Sequence, residues 1–181
     1  KPAQNGAQVL PASGLDKEFA VFRLIQAYRK NGHLIAKTNP IRERKNRYAN
    51  LALSHFGLTD EDLSTEFSAG SFAGVGKTSL KNIIARLEQC YAHHVGLEFS
   101  YINDLKKIEW LTNAMETTLL QPVPLDQKKR ILQKLNEGVM FEKFLHTKYI
   151  GQKRFSLEGG ETTIAALDAI LNTAASNDVQ E

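Results

Sequence analysis

The residues with the clearest potential for chemistry lie between positions 144 and 162 of this 181-residue chain. His146 offers an imidazole that donates or accepts a proton, and the cations Lys153 and Arg154 follow it in a segment without helical periodicity. Gly159-Gly160 then precede a predicted helix, whose first backbone N–H groups favour an anion. The pattern predicts a pocket for an acidic ligand; the alternative is an ordinary helix–loop–helix with a solvated Lys-Arg pair.

Two further patterns imitate functional sites, and we reject both. Gly74-Val-Gly-Lys-Thr78 resembles a phosphate-binding P-loop, but Ser71 stands where that motif requires its first glycine, and no buried strand is predicted before it. Cys90, His93 and His94 lie within one helical turn, but zinc needs three or four converging ligands and no second cluster exists. The sequence therefore predicts neither a nucleotide site nor a metal site.

Composition sets the class of protein. Apolar residues make up 42% and charged residues 24% of the chain, as in ordinary globular domains. The net charge of +3, from 23 basic and 20 acidic residues, is too small to indicate a nucleic-acid partner. No apolar run is long enough to span a bilayer, so no membrane partner is predicted. The single cysteine, Cys90, excludes an internal disulfide and fits a reducing compartment.

Apolar residues at helical spacing predict the elements that position these groups. We expect a mainly α fold, a multi-helix domain with at most one or two short strands. The 97–102 segment alternates and predicts a short strand or an extended connector. We expect helices at 15–31, from Thr78 or Ser79 to about His94, after the cap Asp104, and from Glu161 to about Leu171. A short helix is expected after the cap Thr59. A pair of helices is expected at 125–136 and 139–148, with a break near Gly138.

The same spacing predicts which side chains are buried and how the chain is divided. We expect a flexible lead-in at 1–14, a helical domain at 15–150, and a further segment at 151–181. The predicted inner faces comprise Leu15, Phe19, Phe22, Ile25 and Tyr28; Leu80, Ile83, Ile84, Leu87 and Tyr91; Leu105, Ile108, Leu111, Met115 and Leu119; Ile131, Leu132, Leu135, Phe141, Phe144 and Leu145; and Ile164, Leu167, Ile170 and Leu171.

Four stretches, standing in this order, carry a family resemblance: Tyr28-Arg-Lys-Asn-Gly-His-Leu-Ile-Ala36, Phe56-Gly-Leu58, Phe141-Glu-Lys-Phe-Leu-His-Thr-Lys-Tyr149 and Lys153-Arg-Phe-Ser-Leu-Glu-Gly-Gly-Glu161. Together they resemble the thiamine-diphosphate-dependent, decarboxylating first component of the 2-oxoglutarate dehydrogenase complex. The resemblance runs from about Leu15 to Leu171, and its most specific part lies between His146 and Glu161.

The resemblance implies an N-terminal fragment of a longer enzyme, in which a helical domain leads into a missing α/β thiamine-diphosphate domain. Residues 151–181 would be the truncated entry to this first cofactor domain. That enzyme decarboxylates 2-oxoglutarate in the tricarboxylic acid cycle and passes the succinyl group to the lipoyl arm of a succinyltransferase core. Thiamine diphosphate and Mg would serve the full-length parent, and none is expected on this fragment. A homodimeric full-length enzyme in the bacterial cytoplasm or the mitochondrial matrix is also implied.

Two site residues are carried over from the family. His146 matches an active-site histidine beside substrate and thiazolium, and Arg154 matches an arginine near the cofactor diphosphate. The chain departs from the family at Thr38-Asn-Pro-Ile41, where an Asp-Pro-Leu run is usual. Two alternatives stay open at this point: a 2-oxoadipate dehydrogenase of the same family, and a non-catalytic helical interaction module.

Overall fold

The computed structural model describes residues 14–45, 47–118, 120–153 and 155–180, and over these the mainly α prediction is confirmed. Two compact units follow each other, residues 1–121 and 122–181, here called unit 1 and unit 2. The domain boundary predicted near residue 150 stays a prediction. The predicted lead-in, except Gly14, lies outside the described residues, as do Leu119 and the site residue Arg154.

Unit 1 holds three α-helices and one small sheet. The helices are α1 (Gly14–Asn31), α2 (Leu80–Tyr91) and α3 (Leu105–Thr118). The strands β1 (Glu66–Phe67) and β2 (Thr78–Ser79) pair antiparallel, with Glu66 opposite Ser79. Between α1 and α2 the chain makes four 3₁₀ segments, at Gly32–Leu34, Leu53–Phe56, Asp60–Ser64 and Ser68–Ala73.

The three predicted caps are confirmed. Ser79 Oγ accepts the N–H of Asn82 at 3.4 Å and begins α2, and Asp104 Oδ1 accepts two backbone N–H groups at the start of α3. Thr59 and Asp62 form a reciprocal capping box at the Asp60–Ser64 segment. Each cap satisfies N–H groups that have no partner within their helix, which is why these short polar residues mark the helix starts.

The core of unit 1 forms where α1 crosses α2. The prediction for α1 was partly wrong: Leu15 and Phe19 are largely exposed, whereas Val21 and Leu24 are fully buried. The buried stripe of α1 is thus displaced around the helix from the predicted one, and its residues share one core with those of α2. Core side chains from the two helices are Ala20, Val21, Leu24, Ile25, Tyr28, Leu80, Ile83, Leu87, Cys90 and Tyr91.

The 97–102 segment contains no strand, so of the two predicted forms only the connector is present. A turn interrupts it, in which Phe99 O accepts the N–H of Ile102 at 3.1 Å. Alternation of polar and apolar residues needs a neighbouring strand to become a ladder. Over the described residues the sheet consists of β1 and β2, and the 97–102 segment pairs with neither strand.

Unit 2 is a hairpin of two helices, α4 (Leu125–Lys148) and α5 (Thr162–Ser176). The predicted break near Gly138 is wrong, since α4 is continuous through it. An interior glycine costs a helix about 1 kcal/mol and does not by itself end it. Here it has a packing role: a Cβ atom at position 138 would lie 2.5 Å from Ile164 Cδ1. The glycine therefore lets α5 approach α4 closely.

The predicted core of unit 2 is largely wrong, although Leu135, Leu145 and Ile164 are half-buried. Phe141, Phe144, Leu167, Ile170 and Leu171 are exposed, as are Ile131 and Leu132, and Ala165 is the one buried side chain among the described hydrophobic residues of this unit. In a pair of helices each helix buries only the side that contacts the other helix. Apolar residues on its other sides therefore stay exposed within the pair. The amphipathic pattern identified apolar residues correctly but could not identify the surfaces that cover them.

Candidate functional site

The most developed polar site lies in unit 1, around the carboxylate of Glu116 on α3. Arg29 at the end of α1 donates from Nε to Glu116 Oε1 at 2.8 Å and from Nη2 to Oε2 at 3.1 Å. Tyr91, on α2, donates its hydroxyl to Glu116 Oε1 at 2.6 Å. Arg86 donates from Nη2 to the backbone O of Glu116 at 2.7 Å. Three helices thus meet at one carboxylate, which is buried.

We call the cluster of Arg29, Arg86, Tyr91 and Glu116 the Glu116 clasp. The bidentate pairing of Arg29 with Glu116 makes it a strong polar contact. Planar guanidinium–carboxylate pairing combines two charge-assisted hydrogen bonds with a fixed orientation. Arg29 also donates from Nη2 to the carbonyl O of Phe72 at 2.6 Å, so the clasp fixes the 3₁₀ segment before Gly74. Burial, and then the hydrogen bond to Glu116, raise the pKa of Tyr91 well above its usual range. Tyr91 therefore stays a neutral donor at physiological pH.

A cleft of about 610 Å³ opens beside the clasp. Its walls come from α1, α3 and the Ser68–Ala73 segment, and they include Arg29, Lys30, Phe72, Phe99 and Glu109. Its volume is within the range of small-molecule sites. Its charges are mixed, and its guanidinium is already engaged by Glu116, so the cleft does not specify one ligand class. No residue of this cleft was predicted from the sequence as a site residue.

His146 lies in the last turn of α4, and its side chain is exposed. The helix ends two residues later, where Tyr149 donates its N–H to Leu145 O at 3.0 Å. The structure therefore places the imidazole at the start of the irregular segment, as the sequence predicted. The role of His146 toward a substrate stays a prediction, and so does that of Arg154, which lies outside the described residues.

The segment before α5 binds carboxylates of this chain. Glu142 accepts the Ser156 hydroxyl at 2.8 Å and the Leu157 N–H at 2.7 Å. Glu161 accepts the N–H of Gly159, which has a left-handed φ of 86°, at 3.0 Å. Side-chain carboxylates of this chain thus accept two N–H groups of the segment that leads into α5. The acidic-ligand pocket expected around the first N–H groups of the helix stays a prediction.

The structure also explains the glycines of the P-loop-like run. A Cβ atom at Gly70 would lie 2.3 Å from the carbonyl O of Gly76, so the two backbones are in close contact. Gly74 and Gly76 both adopt left-handed φ values, of 71° and 65°. A 3₁₀ segment rather than a buried parallel strand precedes the run. Turn geometry and close packing therefore account for these glycines.

The side chains of Cys90, His93 and His94 lie in different surroundings. Cys90 is buried in the core, whereas His93 and His94 are exposed, with ring centroids 3.8 Å apart and ring planes tilted by 55°. Over the residues that the structure describes, no group of three or more His, Cys, Asp or Glu side chains is arranged to hold a metal ion. Among the described helices, none has the length and apolar character needed to cross a membrane.

Comparison with known proteins gives a consistent set of relatives. The chain is 41% identical over 180 residues to the 2-oxoglutarate dehydrogenase E1/E2 component of Corynebacterium glutamicum, covering 97% of this chain and 15% of that protein. It is 41% identical over 174 residues to the multifunctional 2-oxoglutarate metabolism enzyme of Mycolicibacterium vanbaalenii, covering 94% of this chain and 14% of the relative. It is 39% identical over 168 residues to the 2-oxoglutarate dehydrogenase E1 component of Cupriavidus necator, covering 91% of this chain and 18% of the relative.

No protein-family model matches the chain. The relatives nevertheless agree with the resemblance drawn from the four sequence stretches, and the similarity includes both units because it covers at least 91% of the chain in each of the three. The chain spans between 14% and 18% of the length of these relatives. The similarity identifies it as a member of the 2-oxoglutarate dehydrogenase E1 family that corresponds to one segment of those longer proteins.

Proposed function

We propose that this chain works as the N-terminal helical part of a longer 2-oxoglutarate dehydrogenase E1 component. The full enzyme decarboxylates 2-oxoglutarate and transfers the succinyl group to a lipoyl arm. The observation that carries the proposal is 41% identity over 180 residues to a protein named for that activity. The relatives' names refer to 2-oxoglutarate, which favours this substrate over 2-oxoadipate. A helical interaction module is the second reading, and none of the contacts described here favours it.

The contribution of unit 1 is structural support. The Glu116 clasp ties α1, α2 and α3 together, and the core between α1 and α2 excludes water from Leu24, Ile25, Leu80 and Ile83. A site must be held by elements whose own positions are fixed, because small misplacements of reacting groups reduce rates strongly. Unit 1 provides such a fixed element within the enzyme.

The family implies thiamine diphosphate and Mg as cofactors. The described residues do not form a complete binding site for either. The N–H groups of Leu157 and Gly159 before α5 already donate to Glu142 and Glu161, and a diphosphate that used these two donors would have to displace the carboxylates. The acidic ligands that Mg prefers are not clustered in the described part of the chain. We therefore assign cofactor binding chiefly to other polypeptide of the longer enzyme, with His146 and Arg154 as the contributors from this chain.

The partners follow from the same proposal. The substrate is 2-oxoglutarate, and the acceptor of the succinyl group is the lipoyl-bearing succinyltransferase core, which agrees with an E1/E2 component among the relatives. The full-length enzyme is proposed to be a homodimer located in the bacterial cytoplasm or the mitochondrial matrix. These statements concern the longer protein.

The isolated chain is expected to have no 2-oxoglutarate decarboxylase activity. His146 and Arg154 cannot stabilise the carbanion equivalent that forms on decarboxylation, because this chemistry belongs to the cofactor and its complete site. The measurement is CO₂ release from 2-oxoglutarate by the purified chain with thiamine diphosphate and Mg, beside a calorimetric titration of the cofactor. Turnover above the protein-free rate would contradict the proposal that the cofactor site is formed chiefly by other polypeptide of the longer enzyme.

A further inference from the structure

Helix α5 carries one charged residue, Asp168, and turns it inward. Asp168 Oδ2 accepts from Arg130 Nε at 2.6 Å, and its Oδ1 accepts from Arg130 Nη2 at 3.1 Å. Lys134 Nζ lies 3.9 Å from the same Oδ1 atom. Both cations are on α4. The single ionic group of a 15-residue helix therefore faces its neighbour rather than solvent.

A flank of α5 beside this inner side is apolar and uncovered within unit 2. Leu167, Ile170 and Leu171 have exposed fractions of 51%, 62% and 67%, and they occur at i, i+3 and i+4. We call these three residues the outer face of α5. A surface helix normally buries its apolar stripe and exposes its charges, so this helix has the reverse arrangement.

Three contacts fix the orientation of α5 on α4. Ile164 fits against Gly138, Ala165 is buried, and Asp168 pairs with Arg130. Turning α5 to cover its outer face would bring Asp168 out of its ion pair and remove Ile164 from the glycine. The contacts with α4 thus fix the inner face and leave the outer face for another surface.

We infer that the outer face of α5 packs against further polypeptide of the same E1 chain. The inference rests on the proposed function, since the chain spans only 14–18% of the length of its relatives and the longer enzyme therefore supplies further polypeptide. The covering surface is apolar and uncharged, because the outer face offers no ionic partner. Leu167, Ile170 and Leu171 then form an internal interface of the enzyme, not a surface for solvent or for an acidic or basic partner.

The test compares the labelling of a cysteine in two contexts. Ile170→Cys is placed in this chain alone and in a chimaera in which the chain replaces the matching segment of the Corynebacterium glutamicum protein. The rate of maleimide labelling of the introduced cysteine in the folded protein is divided by its rate in denaturant, which gives the protection of that position. Cys90 does not interfere, because it is buried and desolvation raises the pKa of its thiol. Lys81→Cys, on the exposed side of α2, is the control.

We expect labelling at position 170 to slow by on the order of tenfold or more in the chimaera, with little change at position 81. Equal rates at position 170 in both contexts, or equal slowing at both positions, would overturn the inference. Protection in the isolated chain that grows with its concentration would also overturn it, because a second copy would then be the covering partner.

Turnover of the chimaera separates this inference from the proposed function. An active chimaera with an unprotected position 170 counts against the packing of α5 alone. An inactive but folded chimaera with a protected position 170 counts against the proposed function and leaves the packing supported.

Discussion

Replacing Glu116 by alanine is expected to lower the free energy of unfolding of unit 1 by about 3 kcal/mol. Removing one partner of a buried ion pair leaves the other charge desolvated and unpaired, which typically costs about 3–5 kcal/mol. The lower end applies because the Arg29 side chain remains 20% exposed to water. Tyr91 would in addition lose the acceptor of its buried hydroxyl. The measurement is urea unfolding followed by the fluorescence of Trp110, the single tryptophan, which lies on α3.

Two variants control this experiment. Glu109→Ala removes an exposed carboxylate from the same helix and is expected to change stability by no more than about 0.5 kcal/mol. Tyr91→Phe removes one hydrogen bond of the Glu116 clasp but keeps the ion pair, so an intermediate loss of about 1 kcal/mol is expected. A Glu116→Ala protein as stable as Glu109→Ala would show that the clasp does not hold α3 in unit 1.

His146→Ala in the chimaera is expected to lower turnover by ~10²–10⁴-fold while the fold stays intact, since a positioned acid–base or hydrogen-bonding group contributes about that much to rate. Its place at the end of α4 sets the imidazole at the entrance of the segment that most resembles the family. Steady-state kinetics with 2-oxoglutarate, with circular dichroism as the folding control, measures the effect.

Lys148→Ala is the matched control for the histidine, because it lies in the same last turn of α4 and is also exposed. It is expected to leave turnover within about twofold of the unsubstituted chimaera. If His146→Ala and Lys148→Ala behave alike, His146 is a surface residue and does not belong to the active site.

Local signals in the sequence predicted the helices and their starts well. Ser79, Asp104 and Thr59 cap the helices that they were expected to cap, because capping depends on a side chain and N–H groups within three residues of each other. The break expected at Gly138 did not occur, since the propensity of one residue is small compared with tertiary packing, here against Ile164.

Long-range contacts could not be predicted in the same way. Arg29 and Glu116 are 87 residues apart, and neither stands in a motif that signals a partner. The exposure of Phe141 and Phe144 was missed for a related reason: periodicity identifies an apolar face but not the surface that covers it. The site residues His146 and Arg154 came from residue chemistry and family resemblance, and the position of His146 at the end of α4 agrees with the predicted helix.

The central claim is that this chain functions as a segment of a 2-oxoglutarate dehydrogenase E1 component. The most direct measurement is thiamine-diphosphate-dependent CO₂ release from 2-oxoglutarate by the chimaera with the Corynebacterium glutamicum protein, compared with that protein itself and with the isolated chain. The account predicts turnover within about tenfold of the parent protein, because identity of 41% over 180 residues preserves the fold of the exchanged segment. A folded chimaera that binds the cofactor but releases no CO₂ would contradict it.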